Sequence, residues 1–201
     1  MAARIDVANS ALAHLGNLPI GDMDFDDPKG KAEILVAAFM DRALEYVLKL
    51  QGWSDAKTRA SLAAQTPAPE YGYSLSYPVP SDLVYLAYVD ADVYEYEGRH
   101  ILTNVGAPLK IQFNRLIGVA EAGPLLAELV ALRLAMIIAM PLKASVSAKK
   151  ELTLLFKKEL RTAVLVDNFE AARGAVLGSN LNLARHGVPV EDAADTPHWR
   201  G

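Results

Sequence analysis

Few stretches of this chain carry residue types that could do chemistry, and each competes with a plainer reading. DMDFDDPKGKAE, residues 22–33, sets Asp22, Asp24, Asp26 and Glu33 at positions 1, 3, 5 and 12 of a calcium-loop spacing. Calcium takes six to eight oxygens, and a bidentate Glu closes such a cage. The sharp-turn position, where a glycine belongs, is Asp27, and Pro28 follows it. The same carboxylates next to a helix start read as an acidic cap favoured by the helix N-terminus. Ser147-Ala-Lys-Lys150 has the SxxK spacing of serine acyl enzymes, but neither SDN nor KTG accompanies it. It reads as a capping serine ahead of a surface helix. His14, His100, His186 and His198 lie in unrelated segments without ligand spacing. A phosphate-binding Gly-rich loop, a GxSxG elbow and an HExxH helix are all missing. The expectation is a non-enzyme with no catalytic residue, cofactor or metal. Its rival is a metal-dependent enzyme working through the Asp22–Glu33 loop.

Three further groups have the chemistry of binding. Lys150, Lys157, Lys158 and Arg161 lie mostly off the apolar face made by Leu152, Phe156, Leu160 and Ala163, and could meet phosphate. Such a face is more often merely solvated, and no aromatic residue interleaves with these cations to stack bases. Seven tyrosines fall between residues 71 and 96. Tyrosine suits surfaces that are apolar yet wet, and equally the cross-strand packing of a small sheet. Within this stretch Tyr94, Tyr96, Glu97, Gly98 and Arg99 mark a hairpin with its turn at Glu97-Gly98. The closing residues DAADTPHWRG carry Trp199 on a strap with too little apolar surface to fold alone. Either Trp199 folds back onto its own domain, or Pro197, His198, Trp199 and Arg200 wait for a partner.

The elements that must position these groups follow from periodicity. Helices are expected at about 3–15, stopped by Gly16, and at 28–51, with Asp27 as cap and Pro28 as first residue. Two more are expected at 124–140, opened by Gly123-Pro124, and at 147–173, capped by Ser145 or Ser147, with Gly174 as its stop. Between them, 70–114 is rich in tyrosine, proline and β-formers, and Pro78, Pro80 and Pro108 restrict its strands to short or edge positions. From 178 to 201 the chain reads as an extended arm. The expected fold is mainly α: one domain over 1–177, a bundle of about four helices with a small inserted antiparallel sheet or hairpin, and a C-terminal arm.

Composition bounds the rest. The 201 residues are 52% hydrophobic, enough for a real core, and a net charge of −4 argues against a strongly basic nucleic-acid binder. Cysteine is absent, which excludes disulfides and fits a reducing compartment. The first residues lack the apolar run of a signal peptide, and the most apolar stretch, 124–142, is interrupted by Glu128 and Arg133. A soluble protein without a membrane partner is expected.

The order of five blocks carries a resemblance: ANSALAHLG, VLKLQGWSDAKTRASLA, EYGYSLSYPVPSDLV, YEYEGRHILTN and PLLAELVALRLAMIIAMPL. Together they resemble the tail tubular protein A family, the head–tail adaptors of short-tailed bacteriophages, over about residues 3–173. The YGYxxxYPxPxD and YExEGRxILT blocks carry most of it, and the closing Trp199-Arg200 is similar to the end of some relatives. Two departures mark a distant branch. Gly52-Trp53-Ser54-Asp55-Ala56 stands where relatives often have Pro-Trp-Asn-Phe-Ala, and Leu83 where a cysteine is common.

The resemblance implies a structural virion protein, assembled in the host cytoplasm into a dodecameric ring at the head–tail junction. The ring would sit between the portal protein and the tail nozzle protein and extend the DNA channel. Pro197 to Arg200 would then dock on the portal. The hairpin at Tyr94, Tyr96, Glu97, Gly98 and Arg99 would face a neighbouring subunit or the tail. Lys150, Lys157, Lys158 and Arg161 would face the channel or portal, where weak, non-specific DNA contact suits a sliding duplex. A head-completion connector of a long-tailed phage or gene-transfer particle is the nearest alternative.

Overall fold

The computed structural model of the chain describes residues 3–142 and 144–176, with side chains through 170. The chain divides into two compact units, 1–164 and 165–201. In chain order the helices are α1 (Arg4–Ala13), α2 (Lys31–Leu48), α3 (Pro124–Ile138) and α4 (Val146–Val176). Between α2 and α3 run β1 (Lys57–Leu62), β2 (Leu75–Pro78), β3 (Leu83–Val89), β4 (Glu95–Glu97), β5 (His100–Thr103) and β6 (Leu109–Arg115).

The first unit has two apolar cores. The helical one forms around α3, whose Leu129, Val130, Leu132, Leu134 and Ile138 are buried, as a helix apolar on nearly every side must be. Val7 and Leu12 of α1, and Val36, Met40, Leu44 and Val47 of α2, close on it. Leu152, Phe156 and Ala163 of α4 join the same cluster, and their spacing of four and seven keeps them on one helix face.

Three helix starts share one device, an acidic side chain reaching back to a free backbone N–H. Asp6 accepts from the Ala3 N–H at 3.1 Å, and Glu33 from those of Lys29 and Gly30 at 2.8 and 3.2 Å. Glu121, in the 3-10 turn Val119–Glu121, accepts from Gly118 N–H at 3.1 Å. α2 therefore begins at Lys31 with Gly30 as its cap, not at Pro28 behind Asp27. At α4 the Ser145 hydroxyl accepts the Ala148 N–H at 3.0 Å. That helix passes through Gly174, so the expected stop there does not operate.

The second core lies between two three-stranded antiparallel sheets, ordered β1-β6-β3 and β2-β5-β4. Alternation along β6 turns Leu109, Ile111 and Phe113 inward, and Tyr77 and Ile101, paired in register, close the core from the other sheet. The Tyr77 hydroxyl donates to Val105 C=O at 2.7 Å, so its buried polar end is satisfied.

The mainly helical expectation is corrected by these sheets. The protein is mixed α/β, 43% helical and 19% strand, with two sheets rather than one small hairpin in a helical bundle. The β region opens at Lys57, well before residue 70. β1, KTRASL, escapes a pattern reading because it is an edge strand with only Leu62 buried, and its pairing with β6 joins residues some fifty positions apart in sequence.

Asn114 ties β6 of the second core to the end of α2, where Trp53 is packed. Trp53 is buried in the helical cluster, and its indole N–H donates to Val47 C=O at 2.8 Å. Asn114, wholly buried on β6, donates through Nδ2 to the carbonyls of Leu48 at 3.1 Å and Gln51 at 2.6 Å. The carbonyls at and just past the end of α2 thus receive side-chain donors from Trp53 and from β6, and the Asn114 bonds set β6 against the helix end.

Candidate interaction surfaces

The hairpin forms, with its turn one residue later than the sequence suggests. Gly98 and Arg99 both adopt positive φ, +51° and +65°, the pattern of a two-residue type I′ turn between β4 and β5. A non-glycine residue in this region is costly, and here bonds hold it. The Arg99 guanidinium donates to Pro80 C=O at 2.7 Å, and Arg99 C=O accepts the Val79 N–H at 3.0 Å. Arg99 is thereby engaged by its own chain. The strand alternation separates the remaining residues. Tyr96 pairs with Ile101 on the core-facing side, at the sheet edge, where it stays 45% exposed. Glu95 and Glu97 project from the opposite face. Tyr94 precedes β4 and is also partly exposed.

On α4 the four cations stand clear of the core. Lys150, Lys157, Lys158 and Arg161 are exposed, and none makes an ion pair among the described residues. Leu154, 67% exposed, falls on the same helix face between Lys150 and Lys157 or Lys158. The sequence reading missed this leucine because the apolar stripe Leu152, Phe156, Leu160 absorbs attention, yet at 100° per residue Leu154 falls on the far side. Farther along the helix Leu165 and Phe169, four residues apart, are exposed as well.

The acidic loop does not close into a cage. Glu33 is occupied in capping α2, and its two backbone donors, Lys29 N–H and then Gly30 N–H, hold its carboxyl below the usual range. Asp24 accepts the Asp26 N–H at 2.9 Å, a local turn bond. Among the described residues no group of His, Cys, Asp and Glu is placed to hold a metal ion.

The two described histidines, His14 and His100, do not converge. His14 Nε2 lies 2.8 Å from Glu128 Oε1 and ties α1 to α3, while His100 sits on β5 beside Gly98 C=O and Gln65 Oε1. Glu121 is held low by the Gly118 N–H and then by its ion pair with Arg115. The Tyr88 hydroxyl is pushed up by donating to Asp90 at 3.2 Å. Each of these shifts belongs to a local structural bond. Pro197, His198, Trp199, Arg200, His186 and the arm from 178 to 201 lie outside the described residues. Among the described residues no helix is long and apolar enough to cross a membrane. The chain matches no protein-family model, and no curated protein matches it.

Proposed function

We propose that the chain is a structural virion protein, a head–tail adaptor that assembles as a ring between portal and tail nozzle. The observation that carries this reading is the ordered set of sequence blocks similar to the tail tubular protein A family, with YGYSLSYPVPSD and YEYEGRHILT at its centre. The residues of these blocks make a coherent structural unit. Tyr77 and Ile101 from the two blocks pair in register and share one core, and Arg99 locks the second block's turn to Pro80 of the first.

In this reading the exposed side of α4, with Lys150, Lys157, Lys158, Arg161 and Leu154, faces the portal or the DNA channel. Unpaired cations bind phosphate without reading sequence, which suits DNA that slides. Tyr94 and Tyr96 at the sheet edge face a neighbouring subunit. Pro197 to Arg200 act as the portal anchor. The chain itself needs no cofactor for any of this.

The test is location. Particles produced by the genome that encodes this chain should contain it in multiple copies, with immunogold label at the head–tail vertex. Its absence from purified particles would sink the adaptor role in both the short-tailed and the long-tailed form.

A further inference from the structure

The outer face of the β2-β5-β4 sheet is the floor of a cleft of about 460 Å³. Register decides which side chains line it. Tyr77 and Ile101 point into the β core, so their strand neighbours Ser76, His100 and Leu102 point the other way and line the cleft. Glu95 lies opposite Leu102 and Glu97 opposite His100. Both carboxylates therefore stand on this face, about 7 Å apart along the strand. The loop 67–73 forms the wall. Gly72, at φ +83°, lets the Tyr73 N–H donate to Tyr71 C=O at 3.0 Å, a tight reversal that sets both tyrosines along the cleft.

Two independent features point to a ligand. The first is uncompensated charge. Glu70, Glu95 and Glu97 line the cleft with no lysine or arginine beside them, and none makes an ion pair among the described residues. The nearby Arg99 is committed to Pro80, and both ring nitrogens of His100 lie against oxygens of Gly98 and Gln65. The second is Ser76, only 8% exposed. Its backbone carbonyl accepts the Gln65 N–H, but its hydroxyl has no partner among the described residues and opens onto the cleft. The residue is nine-tenths buried while its hydroxyl, without a partner among the described residues, is presented at the cleft floor, so its free hydrogen-bonding capacity marks a binding position. Tyr71, 87% exposed at the rim, leaves a bare aromatic face beside these groups.

We propose that this cleft binds an arginine side chain carried on an extended basic peptide. A guanidinium forks onto one carboxylate through two parallel bonds, a geometry that lysine lacks. Glu95 or Glu97 receives that fork, and the Ser76 hydroxyl accepts one of the remaining N–H groups. Tyr71 or Tyr73 covers the cation's face. The wall and floor come from two different chain segments, so the pocket exists only in the folded sheet. The inference does not rest on the adaptor reading and can stand or fall without it.

The experiment is a titration of the full chain, followed by NMR at low salt, with the capped tripeptide Gly-Arg-Gly and its neutral citrulline counterpart. The arginine peptide should saturate and shift residues 67–76 and 95–102, with the citrulline peptide about tenfold weaker. A Glu95→Gln/Glu97→Gln double variant should lose about tenfold in affinity, and Ser76→Ala about threefold, with unchanged melting temperatures. No saturable binding, equal binding of the two peptides, unchanged affinity in the double variant, or shifts confined elsewhere would each overturn the proposal.

Discussion

The junction between the two cores and the exposed side of α4 treat their polar groups in opposite ways. At the junction, Trp53 and Asn114 place their N–H donors on three carbonyls at the end of α2, in surroundings closed to water. On α4, four cations and a leucine face solvent, with no ion pair among the described residues to fix them. A buried donor without its acceptor costs about 1–3 kcal/mol, whereas an exposed charge loses little whether paired or not. The difference teaches where selection for folding ends and selection for contact begins. Buried donors satisfied within the chain hold the fold, and the exposed cations left open on α4 are accessible to a partner.

The comparison breaks most readily at Trp53. Trp53→Ala removes a buried indole and the donor for Val47, and should lower stability by about 3–5 kcal/mol in urea unfolding. A loss under 1 kcal/mol would mean that the indole is not part of what holds the helical core together. Asn114→Ala removes the side-chain donor to Leu48 C=O and leaves Gln51 C=O with the Trp53 N–H, and should lower stability by about 1–3 kcal/mol. Tyr77→Phe keeps the ring in the β core and deletes only the bond to Val105, an expected loss of about 1 kcal/mol by thermal unfolding.

Glu33 sharpens the comparison through pH. Its folded pKa is lowered from 4.5 by the Lys29 and Gly30 N–H groups, so its contribution is present above pH 4.5 and lost as pH falls through the folded value. Glu33→Gln should therefore be less stable than the parent at neutral pH. That gap should close in acid, below pH 4.5, and a gap independent of pH would contradict the capping role. The smallest effect on folding belongs to α4. Reversing Lys150, Lys157, Lys158 and Arg161 together to Glu should move the unfolding free energy by only about 0.5 kcal/mol per site or less. The same variant should lose any retention on DNA or portal that the parent shows.

These expectations also mark what the sequence could disclose. The α3 segment was legible because a stretch apolar all round has only a core to occupy, and Gly123-Pro124 fixes where it starts. The Tyr94–Asn104 hairpin was legible because alternation and a Gly turn are local signals, although the turn fell on Gly98-Arg99. β1 was not legible. Lys57–Leu62 lacks alternation of large apolar residues, and it is a strand because β6 offers it an edge. With β1 hidden, the division of the tyrosine-rich region into two facing sheets was hidden too. The cleft on the β2-β5-β4 sheet depends on register in the same way. Nothing in the linear order shows that Ser76, Glu95 and His100 share a face. Leu154 shows the converse case, where the angle was present in the sequence and the stronger stripe obscured it.

The adaptor reading meets its most direct test in assembly. The purified chain, mixed with the portal protein encoded in the same genome, is weighed by native mass spectrometry with and without residues 178–201. The account predicts a complex carrying many copies of the full chain per portal, lost on truncation while the truncated chain still unfolds cooperatively. A full-length, folded chain that forms no complex with that portal would contradict it.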